Sequence, residues 1–486
     1  MACSIFEKAI MQGEVLIVED LSTYPDRSAI EEQILEKGVR NMVVAPLYYQ
    51  DDLIGMLELG STIPGDLHAL NTMKLREVLP LFSMAIKRST EELNTRLQAI
   101  IKEQCTAIHP AVEWRFRQAA INWAEHRKHG VITEMEPIVF DDVYPLYGVS
   151  DIRGSSRLRN AAIQADLMEH LSLAKDILQI GYGCKPLPIL DELAYQVGKL
   201  ISQLDAGLAS GDEISIIDFM HREVQPLFAH LREFAPEIEE KIQAYEAAID
   251  PRVGTIYRRR KDFEESVTQI NEALSAYIDA EQEKAQAMFP HYFEKHKTDG
   301  VEYGIYIGAS MVEDGHFNPL YLYNLRLWQL LVMCGVVRKS EAVKTQLKVP
   351  LEMAHLILLQ DLPLSVRFRV DEKRFDIDGA YNMRYEIVKK RIDKAVIKGT
   401  SERLTQPGKI AIVYSQSKEA AEYREYLDYL RASGYLTGEI EEVNLEDLDG
   451  AQGLRALRVT VDLRDTQPKQ LPPLDGMTDV AEIVRR

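Results

Sequence analysis

Three arginines and two serines crowd one short run, Asp151-Ile-Arg-Gly-Ser-Ser-Arg-Leu-Arg-Asn160. Ser155 or Ser156 stands where a helix N-cap is expected, its hydroxyl placed to accept a first-turn N–H. Gly154 lets backbone amides crowd together, and Arg153, Arg157 and Arg159 stand beside the positive end of the helix that follows. A set of this kind is suited to holding a phosphate or a carboxylate. Arg153, Ser155, Ser156 and Arg157 are therefore the candidate ligand-binding residues. The plainer alternative is a serine cap whose arginines pair with Asp141, Asp142 or Asp151, and it takes precedence.

Other clusters carry less. His126 with His129, or His291 with His296, lack the HExxH spacing of a zinc protease, and no third ligand stands near them. They are expected to be surface histidines, with no metal. Cys3, Cys105, Cys184 and Cys334 form no CxxC pair, so neither a zinc site nor a disulfide framework is implied. Gly181-Tyr-Gly183 is too short for a dinucleotide loop and reads as a helix stop. Arg258-Arg-Arg-Lys261 precedes Asp262, Glu264 and Glu265, the pattern of a solvated helix face. Lys389-Lys390-Arg391, Lys394 and Lys398 form either a modest anion patch or the exposed side of a helix. No GxxxxGK[ST], GxSxG, GGDEF or histidine-kinase nucleotide box occurs. These absences lower the expectation of an enzyme, and no cofactor is called for.

The elements that must position these residues are legible as periodicities. The 486 residues suffice for two to four domains, and 46% hydrophobic content supports ordinary cores. A formal net charge of −19 opposes non-specific binding to nucleic acid or anionic membrane. No run of 18 apolar residues or signal-peptide pattern appears, so no membrane segment and a reducing cytoplasm are expected. Residues 13–88 read as strand, helix, strand-turn-strand and long helix, with Leu75, Leu79, Phe82 and Ile86 at helical spacing. Residues 131–156 read as a Pro- and Gly-punctuated connection. Four stripes then follow: Ile163–Leu178, Ile189–Leu204, Ile217–Leu231 and Phe263–Tyr277. They predict a bundle with short connections. Beyond Pro290, strands are expected at 304–308, 364–370, 409–414, 436–443 and 454–463, with helices at 322–331 and 419–433.

The first region carries a resemblance. Gly13-Glu-Val-Leu-Ile-Val-Glu-Asp-Leu21, Gly38-Val-Arg-Asn-Met-Val-Val-Ala-Pro-Leu47 and Leu53-Ile-Gly-Met-Leu-Glu-Leu-Gly-Ser61 resemble, in that order, the C-terminal half of a GAF domain. That family implies a small α/β module holding a small ligand, with a departing helix that carries the signal or forms a dimer seam. The first strands of the module are expected to be missing at the chain start. Cys3 lacks the partner thiol of methionine sulfoxide-reducing GAF modules, because Val39 to Met42 offers none. The bilin-attaching context and the acidic motif of phosphodiesterase GAF modules are absent too.

The fold class expected is α+β: a partial GAF-like α/β module over 1–92, a helical linker and connection over 93–156, a central helical bundle over 157–287, a C-terminal α/β region over 288–465 and a mobile tail over 466–486. The function expected is that of a cytoplasmic GAF-type sensory or regulatory protein, in which a small-molecule ligand or a protein partner acts on the helical region. A homo-oligomer is anticipated, and neither nucleic acid nor membrane is. Two alternatives stand beside it. One is an enzyme acting on an anionic substrate where the bundle meets the C-terminal region; the other is a helical assembly scaffold.

Overall fold

The computed structural model describes residues 4–25, 27–50, 52–104, 109–128, 135–209, 211–360, 362–369, 374–378, 388–389, 392–448 and 452–464. Cys3, Cys105, His129, Lys390, Arg391 and the expected tail lie outside them. With about 54% helix and 23% strand in helical layers and mixed sheets, the fold is α+β. The chain divides into two compact units, residues 1–108 with 115–136, and residues 109–114 with 137–486.

In the first unit, Ser4 and Glu7 close a capping box on α1 (Ile5–Gln12), and Ser28 and Glu31 do the same for α2 (Ala29–Glu36). Each box satisfies first-turn N–H groups that the helix leaves unpaired. The Glu31 carboxylate also accepts the Ile5 N–H at 2.7 Å, which ties one helix to the other. β1 (Leu16–Val18), β2 (Asn41–Tyr49) and β3 (Asp52–Ser61) make an antiparallel sheet in that order. Central β2 is buried from Asn41 to Leu47, with Val44 opposite Leu16 on one side and Glu58 on the other. Ile5, Ala9, Val18, Leu21, Met42 and Val44 form the core.

A long helix, α3 (Ala69–Gln104), follows and carries Pro80 within it. Thr72 and Ser83 are buried on it, as are Leu97 and Ile101 farther along. Phe82 and Ile86 are instead exposed, together with Leu70, Met73, Leu81 and Met84. The inward stripe passes through small polar side chains, which an apolar count cannot see. In α4 (Glu113–Lys128), Phe116, Ala119 and Ala120 are buried.

The second unit is organised by a large mixed sheet whose central strand, β4 (Val139–Ile152), runs through the stretch expected to be a connection. Pro145 conceals it in the sequence, since proline argues against a central strand. Here Pro145 falls where β4 changes partners: β10 (Leu364–Arg369) pairs with Val139–Val143, and β9 (Met353–Leu358) pairs with Tyr147–Ile152. Gly148 is required by packing, because a Cβ there would stand 2.6 Å from Cζ of Tyr303.

β8 (Gly300–Ile307) pairs antiparallel with β4 and with β7 (Tyr292–Lys297). β12 (Lys409–Tyr414) runs parallel to β9, and β14 (Arg455–Val461) and β13 (Leu436–Asn444) complete that side. β11 (Arg374–Asp378) pairs with β10.

Side chains of β12 alternate with period two. Ile410, Ile412 and Tyr414 pack under α10 (Arg259–Met288), α11 (Pro319–Lys344) and α12 (Ser417–Ala432). Ala411 and Val413 face the opposite layer, with Ile392, Ala395, Leu404 and Leu445. By length and composition α11 is apolar enough to cross a membrane, yet 67% of that window is buried inside the fold.

A helical subassembly with its own core lies between β4 and α10. It comprises α5 (Ser155–Cys184), α6 (Pro188–Asp205), α7 (Asp212–Phe219), a π-helical turn (Met220–Val224), α8 (Gln225–Leu231) and α9 (Pro236–Ala248). The π turn inserts an extra residue per turn. The fully buried run is therefore Ile216, Met220, Val224, Phe228 and Leu231, with Ile217 and Leu227 partly buried against it. α10 packs in the sheet-side core instead of this one. Its start is capped from α5, where Asp166 accepts the N–H groups of Arg259 and Arg260 at 3.0 Å each.

Candidate functional site

Parallel β9 and β12 end side by side, with Leu358 opposite Val413. In open α/β sheets the crevice beyond such carboxyl ends receives ligands. A cleft of about 240 Å³ lies there, with apolar walls from Leu358, Leu364 and Leu454 and polar groups from Gln360, Ser415 and Gln416. Ser415 and Gln416 are the turn that carries β12 into α12. The Glu419 carboxylate closes this turn by accepting the N–H groups of Ser415 at 3.0 Å and Gln416 at 2.9 Å. The positive end of α12 is thus already occupied by a carboxylate, so a second anion meets a like charge. A neutral or donor-bearing ligand suits the site.

A narrow crevice of about 10 Å³ shares Leu358, Leu359, Gln360 and Glu419 with the cleft and reaches Gln329 on α11. At its mouth Arg326 donates to Glu422 at 2.7 Å, and the Tyr426 hydroxyl donates to the other oxygen of Glu422 at 2.8 Å. Burial pushes the Tyr423 and Tyr426 phenols up, so both stay protonated and remain donors. Gln329 is wholly buried, with the Tyr303 hydroxyl as the polar neighbour of its amide.

The residues singled out from the sequence lie at the other end of the sheet, since Ile152 of antiparallel β4 faces Met353, the first residue of β9. Arg153 donates to Gln406 at 2.9 Å. Gly154, in a left-handed conformation with φ 69°, is the N-cap of α5 and makes no side-chain cap bond. Ser155 and Ser156 are therefore first-turn residues and not the cap. Arg157 is exposed, and Arg159 pairs with Asp299 at 2.7 Å, a partner outside the three aspartates anticipated.

His291 corrects the expectation of surface histidines: it is wholly buried, with Nδ1 2.8 Å from the Phe289 carbonyl. Among the described residues no group of three or more His, Cys, Asp or Glu side chains is arranged for a metal. In the basic run at 258–261, Arg258, Arg260 and Lys261 form ion pairs, Arg260 with Glu213 at 2.8 Å and Glu264 at 2.9 Å. A Ser150–His355 pair, Oγ to Nδ1 2.9 Å, has the chemistry of a nucleophile and its base. Both residues are sealed in the core, where burial pulls the His355 pKa down to about 3.

Sequence reasoning missed Gln329, Arg326, Glu419 and Glu422. The one available signal was the strand–polar turn–helix succession at 409–433, with Glu419 at the third helical position.

No protein-family profile matches the chain, and no curated protein matches it. Among solved structures it is matched to the guanylyl cyclase Cya2, at 15% identity over 42% of this chain and 84% of that one. The TM-score is 0.24, a value that carries no inference about this chain.

Proposed function

We propose that this chain is a cytoplasmic sensory or regulatory protein with a GAF-type module over residues 1–92, and that it responds to a small molecule held outside that module, in the cleft at the ends of β9 and β12. The observation carrying this reading is the equipment of the cleft: amides, a hydroxyl and a capped carboxylate over apolar walls, suited to holding and orienting a ligand. What supports the family reading is the succession of β1, α2, β2, β3 and α3 over the residues that resemble the module. The exposed apolar side of α3 supports a protein partner or a second copy.

Thermal-shift titration of the full chain with cyclic nucleotides, amino acids and purines tests the reading. A ligand present at 100 times its Kd stabilises by about 2.7 kcal/mol. Ser415→Trp, which fills the mouth of the cleft, should abolish that shift. A panel without any stabilising compound, or one that stabilises Ser415→Trp equally, would falsify the proposal.

A further inference from the structure

We infer that a second site, the groove between α11 and α12, binds an organic cation, a protonated amine carrying an aromatic body. The groove has a volume of about 660 Å³ and shares only Glu419 with the lining of the cleft. Each helix turns the i, i+3, i+4 and i+7 residues of one face toward it, starting at Pro319 on α11 and at Lys418 on α12. Aromatic rings line the α11 side. Tyr144 of β4 stacks on Phe317, with ring centroids 6.4 Å apart and planes 16° from parallel. Tyr323 is 47% exposed beside them. The face of such a ring attracts a cation lying within about 6 Å of its centroid.

The charges decide which sign of ligand fits. Arg326 is matched by Glu422, and the Glu419 carboxylate is engaged by the Ser415 and Gln416 N–H groups. Glu425 and Lys418 remain. Both are exposed, and neither has an ion pair or hydrogen bond among the described residues. Three carboxylates against two cations leave the groove with surplus negative charge, and Glu425 is the acceptor open to an ammonium. Lys418 is the built-in competitor: its ammonium weakens an incoming cation and would strengthen an anion.

Isothermal titration of the full chain with phenethylamine tests the inference, with phenethyl alcohol as the neutral isostere and phenylacetate as the anionic control. The amine should bind, the alcohol about tenfold more weakly, and phenylacetate not at all. Glu425→Gln and Tyr323→Ala should each weaken the amine about tenfold, whereas Lys418→Ala should tighten it. All three side chains are exposed, so the melting temperature of the free protein should hold; if Tyr323→Ala lowers it, Glu425→Gln decides. Absence of amine binding overturns the inference, as does equal binding of amine and alcohol, or binding of phenylacetate. Amine affinity that Glu425→Gln leaves unchanged, or that Lys418→Ala reduces, also overturns it. Ser415→Trp fills the cleft and should leave the amine bound. Loss of amine binding in that variant would place the amine in the cleft and remove the second site.

Discussion

At the scale of single residues, Arg326 and Glu422 show what a buried charge pair demands. The Arg326 side chain is 8% exposed and its carboxylate partner 25%. Glu422→Gln leaves the guanidinium buried with a weaker acceptor and should cost about 2–4 kcal/mol in urea denaturation. An unchanged midpoint would show that the pair is solvated. In the first unit, Glu31 accepts the N–H groups of Ile5 and Ser28, both at 2.7 Å, from a buried position. Glu31→Ala strands both donors, with an expected loss of about 2–3 kcal/mol, and a loss below half that value would discount the tie between α1 and α2. Of these partnerships only Ser28 with Glu31, a local Ser-x-x-Glu cap, is legible in the sequence. Arg326 and Glu422 lie 96 positions apart, and Ile5 and Glu31 lie 26 apart.

At the scale of elements, the Tyr277 side chain of α10 packs tightly over Gly335 of α11. A Cβ on Gly335 would fall 1.9 Å from the Tyr277 hydroxyl oxygen and 2.5 Å from Cζ. Gly335→Ala must therefore displace the Tyr277 ring or part the two helices, at a cost of about 1–3 kcal/mol. Adding Tyr277→Phe removes the nearest atom and should recover part of the loss; strict additivity of the two changes would refute the contact. Elements with a clean local signal were readable. β2, β12 and β13 fall where strands were expected, β2 and β12 from short apolar runs, and α5 buries Ile163, Leu167, Leu171 and Leu178 along the anticipated stripe. β4 was not readable, since Pro145 is tolerated where β4 passes from pairing with β10 to pairing with β9. Of the stripe expected from Ile217, Met220, Val224 and Leu231 are fully buried, while Ile217 and Leu227 are only partly so, because a π turn leaves no signature in hydrophobic spacing. The cleft was half legible: its turn and helix cap are local, whereas its apolar walls come from Leu358 on β9, Leu364 on β10 and Leu454.

At the scale of the whole molecule, three buried histidines set an acid limit. Burial lowers His170 and His291 from 6.5 to about 4, and His355 to about 3. Each folded value lies below the unfolded one, so the stability they contribute is complete above pH 6.5. It is lost as the pH falls from 6.5 toward the folded values. The loss should approach about 1.4 kcal/mol per pH unit for each histidine. Urea midpoints compared at pH 7 and pH 5 should therefore differ clearly, and a flat profile would mean that these imidazoles are protonated at no cost.

The central position of α11 has a consequence for how the chain is made. Its greasy surface is covered in part by β12 and β14, which come later in the sequence. At about 5–20 residues per second, roughly a hundred residues of further translation leave that surface naked for several seconds or more. During this interval a segment hydrophobic enough to enter a bilayer has no native cover on that side. Nascent chains halted before β12 should therefore be bound by chaperones, whereas chains released after β14 should not.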